Sequence, residues 1–300
     1  MHDRQCAREL QSVPTQAGFK ELEFAGWHPP GEFDDDLAIW FTNRNVTNGF
    51  PASGVAVFDQ VDESSFWFAH RNKMIEQLLL RHNLVGSFLE VGSGSGVVAA
   101  YLAARGIPVG AVEPIESGAI RAAERGVTVS FCGDLASLAL PDNSVPTVGM
   151  FDVIEHIEEP SELLVEAHRI LEPGGTIIVT VPAHQWLWSD FDEWNGHYRR
   201  YKKSMLADEL EAAGFEVVDN SYFFLPLLIP AAISRLAVRK LQSARTKEQI
   251  EEDLATDLAP TNPLVDRMLR ALHQPELAAL GKFPLPTGTS ILAMAKKPST

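Results

Sequence analysis

Residues 88–102 read FLEVGSGSGVVAAYL, and this stretch decides the fold. An apolar run that carries one acid, Glu90, leads directly into three glycines that alternate with serines, and an apolar segment of helical character follows. A strand, a glycine turn and a helix in this order form the first unit of many nucleotide-binding sheets. The stretch therefore predicts a nucleotide site at the carboxyl end of a strand.

Strand and helix signals alternate along the chain from this turn onward. Short apolar runs typical of buried strands follow at 108–114, 127–134, 145–153, 176–182, 215–224 and 289–297. Helical periodicity is expected over 160–175, and again from Ser204, a predicted N-cap, to Gly214. This alternation predicts an α/β fold with a doubly wound, Rossmann-like, seven-stranded sheet. Such sheets bind ligands beyond the carboxyl ends of their strands.

The chain before the glycine turn is predicted to form a cap. Residues 1–74 make up this N-terminal cap or lid segment, with loops rich in turn-forming residues at 28–36 and 47–54. A helix is expected over 63–84, where apolar residues recur near the 3.6-residue spacing. The main domain is then predicted to span 75–300.

A helical insertion is expected at about 225–287, before a final strand at about 288–297. The segment 222–241 is strongly apolar, contains two prolines and ends in basic residues. It is too short to span a bilayer as a regular helix. A helix buried against the main domain, a peripheral membrane helix and a dimer surface all fit this pattern.

Composition excludes some classes of partner. The 300-residue chain has a net charge of −15, and its best basic run, YRRYKK at 198–203, is short. A nucleic-acid substrate is therefore not expected. Cys6 and Cys132 cannot form a disulfide framework, and the N-terminus lacks the apolar core of a signal peptide. These features predict a cytoplasmic protein, with 222–241 as the segment for any peripheral membrane contact.

The glycine turn excludes two kinds of nucleotide site. A dinucleotide fingerprint needs a third glycine where Val97 stands, and a phosphate-binding loop needs a Gly-Lys-Ser or Gly-Lys-Thr ending that is absent. Glu90 lies directly before the turn, where it would repel a pyrophosphate. A carboxylate at this place favours a cationic group, such as the ammonium of a ligand.

Two further acids define the rest of the expected ligand. Glu113 ends the second strand, 21 residues after Gly92, where a carboxylate can accept hydrogen bonds from both ribose hydroxyls. Asp134 ends the third strand and can accept a hydrogen bond from an adenine amino group. An ammonium, a ribose and an adenine without a phosphate describe S-adenosylmethionine.

The motifs LEVGSGSG, AVEP, GDL, FDVIEHIEEP, RILEPGGTIIVTVP and GHYRRY…LEAAGFEVV, in this order, resemble class I S-adenosylmethionine-dependent methyltransferases. The subgroup is the broad one labelled type 11, 12 or 23, in a form with the GHYRRY motif. The likeness covers residues 75 to about 224 and the final strand. One departure is the strand start SVPTVGM, where Pro146 lies in place of the usual Phe-Asp.

This resemblance implies cofactor contacts position by position. Glu90 is implied to meet the methionine amino group, Glu113 the ribose and Asp134 the adenine. The full set of implied cofactor-binding residues is Glu90, Gly92, Ser93, Gly94, Gly96, Glu113, Pro114, Asp134, Leu135 and Phe151.

The run FDVIEHIEEP carries the first candidates for chemistry on an acceptor. On a helical turn, Asp152 would lie near Glu155 and His156, a set that suits a base or a divalent ion. Quinone-biosynthesis O-methyltransferases, which this segment resembles, carry an acid-x-x-Glu-His run that holds magnesium. In most of the wider family the Glu-His pair packs and hydrogen-bonds near the cofactor. Asp152 and His156 are therefore catalytic candidates here, and no metal is expected.

The loop AHQWLWSDFDEWNGHYRRYKK, at 183–203, is longer than most connections, and long loops at this face usually bind ligands. His197 is its best candidate base. The residues predicted to bind the substrate are Trp186, Trp188, Tyr198, Arg199 and Arg200. The alternative is that the arginines pair with the many acids and that Tyr198 and Tyr201 lie in the core.

A third group lies ahead of the first strand. The resemblance implies an N-terminal helix that closes over the cofactor, so the aromatic and basic residues of SSFWFAHRN are candidates for a lid: Phe66, Trp67, Phe68 and Arg71. Packing in the core explains the same residues equally well.

Together the sequence predicts a methyltransferase that acts on a small or amphipathic acceptor, such as a lipid, a quinone or a glycolipid intermediate, with oxygen as the preferred atom. Two other classes of function fit less well. The position of His197 in an intact aromatic loop argues against a non-catalytic S-adenosylmethionine-binding regulator. Glu90 and Val97 argue against a nicotinamide-dependent oxidoreductase.

Overall fold

The computed structural model describes residues 27–43, 65–84, 86–241, 262–280 and 282–299. Its strands are Glu32–Asp34 (β1), Ile39–Phe41 (β2), Phe88–Val91 (β3), Val109–Glu113 (β4), Val129–Cys132 (β5), Val145–Phe151 (β6), Leu171–Pro182 (β7), Glu216–Phe223 (β8) and Ser290–Lys296 (β9). Its helices are Phe66–Arg81 (α1), Val97–Ala103 (α2), Glu116–Glu124 (α3), Ser161–Ile170 (α4), Asp190–Trp194 (α5), Lys203–Ala212 (α6), Leu225–Leu241 (α7) and Pro263–Ala279 (α8).

All the strands of the described residues join one sheet, in the order β1-β2-β5-β4-β3-β6-β7-β9-β8. The strands from β2 to β7 in this order pair in parallel, whereas β9 runs antiparallel between β7 and β8. The α/β, doubly wound prediction is thus confirmed. The strand order reverses at β3, which lies between β4 and β6, and the glycine turn follows β3 at this point. Ligands bind at such reversals in open sheets.

The sheet has two more strands than the sequence predicts. β1 lies inside the stretch 28–36 that was expected to be a loop, and β2 follows it as the second arm of a hairpin. β2 then pairs in parallel with β5, with Trp40 opposite Phe131. Strands of three residues show no readable alternation, so only this pairing across the chain specifies them. The predicted loop 47–54 lies outside the described residues.

Two helix boundaries also differ from the prediction. α6 begins at Lys203 with Lys202 as its N-cap, so Ser204 lies within the first turn and does not cap it. α4 stops at Ile170 because Leu171 already has extended backbone and Pro173 could not continue the helix. The residues 171–175 therefore belong to β7.

The insertion contributes α7 and α8, and a buried carboxylate ties them to α1. Glu276 of α8 accepts backbone N–H groups from Phe224 and Leu225 at the start of α7, and its Oε2 lies 2.9 Å from His70 Nε2 of α1. α7 is not buried on all sides, because Ile229 is 69% exposed. Within the described residues, the structure contains no helix whose length and hydropathy suit a membrane span.

Candidate active site

One cavity of about 900 Å³ lies beyond the carboxyl ends of the central parallel strands. Its walls come from α1, the glycine turn after β3, the loops after β4 to β7, and α7. This volume is near the upper end of the usual range for small-molecule pockets, so the cavity has room for more than one ligand. Its position is the one that the strand order predicts.

The backbone donors of the glycine turn are used inside the protein. The N–H groups of Gly92 and Ser93 both donate to Val112 O, at 2.8 and 3.1 Å, and that of Gly96 donates to Ser93 O at 2.9 Å. The N–H of Gly94 donates to the Glu113 carboxylate at 2.7 Å. None of these four donors is left for a phosphate.

The glycines bring the backbone close to neighbouring elements and to the cavity. A Cβ on Gly92 would lie 2.7 Å from Val153 Cγ2, and one on Gly96 would lie 2.6 Å from Ala122 Cβ. Gly92, Ser93 and Gly94 line the cavity, but Gly96 does not and packs on α3 instead. The resemblance implied that Gly96 contacts the cofactor, but Gly96 is not among the residues that line the cavity.

Glu90 presents one unpaired carboxyl oxygen to the cavity. Its side chain is buried, and its Oε2 has no hydrogen-bond partner among the described residues. Burial raises the pKa of Glu90 to about 8, although the positive charge of Arg71 acts in the opposite direction. A buried acceptor of this kind is costly unless a ligand donor satisfies it, and an ammonium would also supply the missing positive charge.

Glu113 is held rigidly at the end of β4. Its two oxygens accept the N–H groups of Gly94 and Ile115, at 2.7 and 2.9 Å. Burial raises the pKa of Glu113 to about 7, although these two hydrogen bonds act to lower it. Each carboxylate oxygen has a second lone pair, so both oxygens can still accept a ribose hydroxyl.

The remaining positions implied for the cofactor lie along the same wall. Pro114, Asp134, Leu135 and Phe151 all line the cavity. Asp134 Oδ1 accepts the N–H of Ser137 at 2.7 Å, which fixes the carboxylate after β5. Their arrangement agrees with an adenosine that extends from Glu113 across the ends of β4 and β5.

α1 closes one side of the cavity. Trp67, Phe68 and Arg71 line it, whereas Phe66 packs against the ring of His273 in α8. Arg71 Nη1 donates to Asp152 Oδ2 at 2.6 Å, and its guanidinium lies over the Trp67 ring, 4.6 Å from the centroid. Three of the four lid candidates therefore form part of the cavity.

The run after β6 does not have the shape that the sequence suggests. Asp152 has a φ of +58° and precedes the short 3₁₀ turn Ile154–His156, so it is not part of one helical turn with the other two residues. Its carboxylate instead pairs with Arg71. The side chain of His197 lies beside those of Glu155 and His156. One nitrogen or oxygen atom from each of the three side chains lies within 4.8 Å of the others.

A buried network fixes His197. Asp192 Oδ1 lies 2.9 Å from His197 Nδ1, and Arg200 binds both carboxylate oxygens of Asp192, at 2.7 and 3.0 Å. Burial alone would raise the pKa of Asp192, but the hydrogen bond from His197 and the charge of Arg200 lower it to about 2. Asp192 is therefore an anion that holds the imidazole in place. The sequence signal for it is a capping box, since Ser189 and Asp192 bind each other across the first turn of α5.

Burial also shifts the other two members of the cluster. It lowers the pKa of His156 to about 3, with the neighbouring His197 acting in the same direction. Burial, and then the charge of Asp152, raise the pKa of Glu155 well above its ordinary value. His156 is consequently a neutral imidazole at pH 7.

The predicted substrate residues divide into two sets. Tyr198 and Arg200 line the cavity, together with His197. Trp186, Trp188 and Arg199 are not among the lining residues. Arg199 donates to the backbone carbonyls of Ile157 and Glu158. Arg200 pairs with an acid, Asp192, which is the alternative that the sequence left open. The lining also includes apolar residues that were not among the predicted substrate residues, such as Leu187, Phe191, Leu227 and Ala231.

Comparison with known proteins places this site in a family. A family model described as a methyltransferase domain matches residues 66–220 of the 300, which is more than half of the chain. The chain belongs to this methyltransferase family. It is 31% identical over 179 residues to a probable S-adenosylmethionine-dependent methyltransferase of Mycolicibacterium smegmatis, a match that covers 58% of this chain and 69% of that protein.

Two further likenesses are shorter or structural. A ubiquinone biosynthesis O-methyltransferase of a Caulobacter species is 32% identical over 97 residues, which are 30% of this chain and 38% of that protein. Phosphoethanolamine N-methyltransferase 2 of Haemonchus contortus, solved in complex with S-adenosylmethionine, superposes with a TM-score of 0.53. That match has 19% identity and covers 85% of this chain and 61% of the other, so it shows the fold alone.

The methyltransferase therefore uses S-adenosylmethionine, which supplies an activated methyl group on a sulfonium. The residues present fit this cofactor. Glu90 offers the buried oxygen that an ammonium would satisfy, and Glu113 offers acceptors for a ribose. Four of the five N–H groups of the turn Gly92–Gly96 are already bonded within the protein, which leaves few donors for the pyrophosphate of a nicotinamide cofactor.

Proposed function

We propose that this methyltransferase methylates a hydroxyl oxygen of a small or amphipathic acceptor, such as a lipid, a quinone or a glycolipid intermediate. The observation that carries the proposal is that one cavity is lined by two chemically different sets of residues. We assign Glu90 and Glu113 to a cofactor half. We assign His197 and the apolar residues near it, such as Phe191 with its ring centroid 6.0 Å away, to an acceptor half.

The apolar wall supports an acceptor with a sizeable apolar part. Leu187 and Phe191 come from the loop after β7, and Leu227 and Ala231 come from α7. Removal of apolar surface from water would stabilise a bound ring or acyl chain by about 25 cal/mol per Å². The polar side chains of the same half, Tyr198 among them, would then orient the head of the acceptor.

The cluster of Glu155, His156 and His197 supports oxygen as the atom that is methylated. The methyl donor is already activated, so the protein must mainly position the acceptor. A hydroxyl keeps its proton at neutral pH, and methyl transfer to its oxygen therefore needs a group that removes this proton. The three side chains lie in the cavity lining, and Asp192 orients His197 among them. The partial likeness to ubiquinone biosynthesis O-methyltransferases agrees with this choice.

The proposal is tested with S-adenosylmethionine that carries a labelled methyl group. Full-length enzyme is incubated separately with lipid extract, polar metabolites, protein and RNA from the cells that produce it, and the labelled product is located by fragmentation in a mass spectrometer. We expect the label on an oxygen of an organic-soluble molecule. Labelling of protein or RNA in preference to the lipid extract would contradict the proposal, as would a methyl group on nitrogen. Formation of no S-adenosylhomocysteine with any fraction would favour the non-catalytic alternative.

A further inference from the structure

Glu276 of α8 lies at a junction of three helices. Its side chain is buried. Its Oε2 accepts the N–H of Phe224 at 3.0 Å and lies 2.9 Å from His70 Nε2 of α1. Its Oε1 accepts the N–H of Leu225, the first residue of α7, at 2.5 Å. One carboxylate of α8 therefore binds α1 and the start of α7 at the same time.

The start of α7 depends on this carboxylate. The first N–H groups of a helix have no partner inside the helix, and a carboxylate beside them is favourable. Phe224, which directly precedes α7, is fully buried and has a φ of +58°. A bulky residue keeps such a backbone conformation only where its surroundings hold it. Glu276 and the packing of the Phe224 ring therefore fix the point at which α7 leaves the sheet.

α1 touches both the cavity and this junction. Trp67 and Arg71 line the cavity, and His70 lies between them in sequence and contacts Glu276. The ring of Trp67 is also stacked on that of Phe224, with centroids 5.6 Å apart and planes at 11°. A helix is held together by its own backbone hydrogen bonds and moves as a unit. A ligand that fixes Trp67 and Arg71 therefore also fixes the side of α1 that contacts the junction.

α7 carries part of the apolar lining that we assign to the acceptor. Leu227 and Ala231 are one helical turn apart, and both line the cavity. Leu227 lies two residues beyond Leu225, whose N–H group Glu276 accepts. The position of this lining is therefore set at the junction, and through the junction by α1.

We propose that Glu276 is a positioning residue that couples the cofactor half of the cavity to the acceptor half. When the cofactor binds beside Trp67 and Arg71, α1 is fixed, and the contact of His70 with Glu276 transmits this to the first turn of α7. Coupling between two ligands is reciprocal, so a bound acceptor tightens cofactor binding by the same factor, about 5–150-fold in typical systems. The acceptor part of this inference rests on the proposed function.

The coupling is tested by hydrogen–deuterium exchange of the full-length protein, with and without saturating S-adenosylhomocysteine. In the wild type we expect the ligand to slow exchange in the first turns of α7 by about fivefold or more, the lower end of typical coupling. His70→Phe keeps a ring beside Phe224, where the centroids are now 5.2 Å apart, but removes the contact with Glu276. Without ligand its α7 should exchange as in the wild type, and most of the response to the ligand should be lost. Glu276→Gln should lose the response too, with faster exchange of α7 in both states.

Glu76→Gln is the matched control. Glu76 also lies on α1, but its carboxylate binds Tyr101 and Arg105 instead of the junction, so the response of α7 should equal that of the wild type. Slower exchange around Gly94 in every variant would show that the ligand is bound. An α7 that does not respond in the wild type, or that responds equally in His70→Phe, would overturn the coupling.

This experiment is independent of the proposed function, because no acceptor takes part in it. Failure of α7 to respond would leave methylation of a hydroxyl intact. Methylation of nitrogen would overturn the proposed function and leave the coupling between α1 and α7 intact.

Discussion

Arg71 Nη1 of α1 donates to Asp152 Oδ2, in the loop after β6, at 2.6 Å. The two residues are 81 positions apart, and their side chains are 9% and 25% exposed. This ion pair joins the N-terminal helix to the wall of the cavity, beside Glu90. It is therefore one of the contacts that hold α1 against the cavity, in addition to the pairing of His70 with Glu276.

Arg71→Ala is expected to weaken cofactor binding as well as stability. Its loss leaves Asp152 without its ion-pair partner and removes a positive charge that acts on Glu90. The free energy of unfolding in urea should fall by about 1–3 kcal/mol, and the affinity for S-adenosylhomocysteine should fall in calorimetry. Arg105→Ala is the matched control, because Arg105 pairs with Glu76 on the surface and should contribute about 1 kcal/mol or less. Equal effects of the two substitutions would contradict the role of Arg71.

Glu90 is expected to make the cofactor-free protein less stable as the pH rises. The folded protein holds the Glu90 proton up to a pKa of about 8, whereas the unfolded chain loses it near the ordinary value of 4.5. Stability is therefore lost between these two pH values, by about 1.4 kcal/mol for each pH unit. Urea unfolding at pH 5.5 and 7.5 should show this slope in the wild type and a smaller one in Glu90→Gln. Identical slopes in the two proteins would show that Glu90 is already ionised at pH 5.5.

Gly94→Ala should weaken the binding of the cofactor more than it weakens the fold. Gly94 has a φ of +56°, and a Cβ there would meet nothing within 4 Å, so the added methyl group would point into free space beside the cavity. Gly106→Ala is matched to it, with a φ of +81°, equal space and a position outside the cavity lining. Both variants should lose about 1–2 kcal/mol of stability because of the left-handed backbone. Only Gly94→Ala should lose affinity for S-adenosylhomocysteine. An equal loss of affinity in both variants would contradict a position of Gly94 beside the bound cofactor.

His197→Ala should lower kcat by about 10²–10⁴-fold, because a group that assists proton removal contributes about that much. Its affinity for S-adenosylhomocysteine should change little, since Glu90 and Glu113 lie in the other half of the cavity. His184→Ala, at a histidine outside the cavity lining, provides the control. The measurement is initial rates of methyl transfer at saturating cofactor. An unchanged kcat would show that His197 does not assist the reaction.

The fold and the cofactor half of the site could be predicted because their signals are local. Glu90 adjoins the glycine turn, and Glu113 follows Gly92 at the spacing set by one helix and one strand. The parallel sheet places the ends of such strands side by side. Spacing along the chain is then sufficient to bring these residues together.

The acceptor half could be predicted only in part, because its contacts join distant parts of the chain. Glu155 was grouped with Asp152 by helical spacing, but a positive φ at Asp152 directs its carboxylate to Arg71. The side chain that lies beside Glu155 and His156 is that of His197, about 40 residues further on. The strands β1 and β2 were missed for a similar reason, since they depend on pairing with β5.

The most direct test of the central claim is calorimetric titration with S-adenosylhomocysteine, beside Glu113→Ala and with NADH as the comparison ligand. Glu113 accepts the N–H of Gly94 and lies in the cavity lining, so its removal should take away the ribose acceptors and loosen the turn. The account predicts binding to one site in the wild type, loss of that binding in Glu113→Ala and no binding of NADH. Binding of NADH, or equal binding of S-adenosylhomocysteine by the wild type and Glu113→Ala, would contradict it.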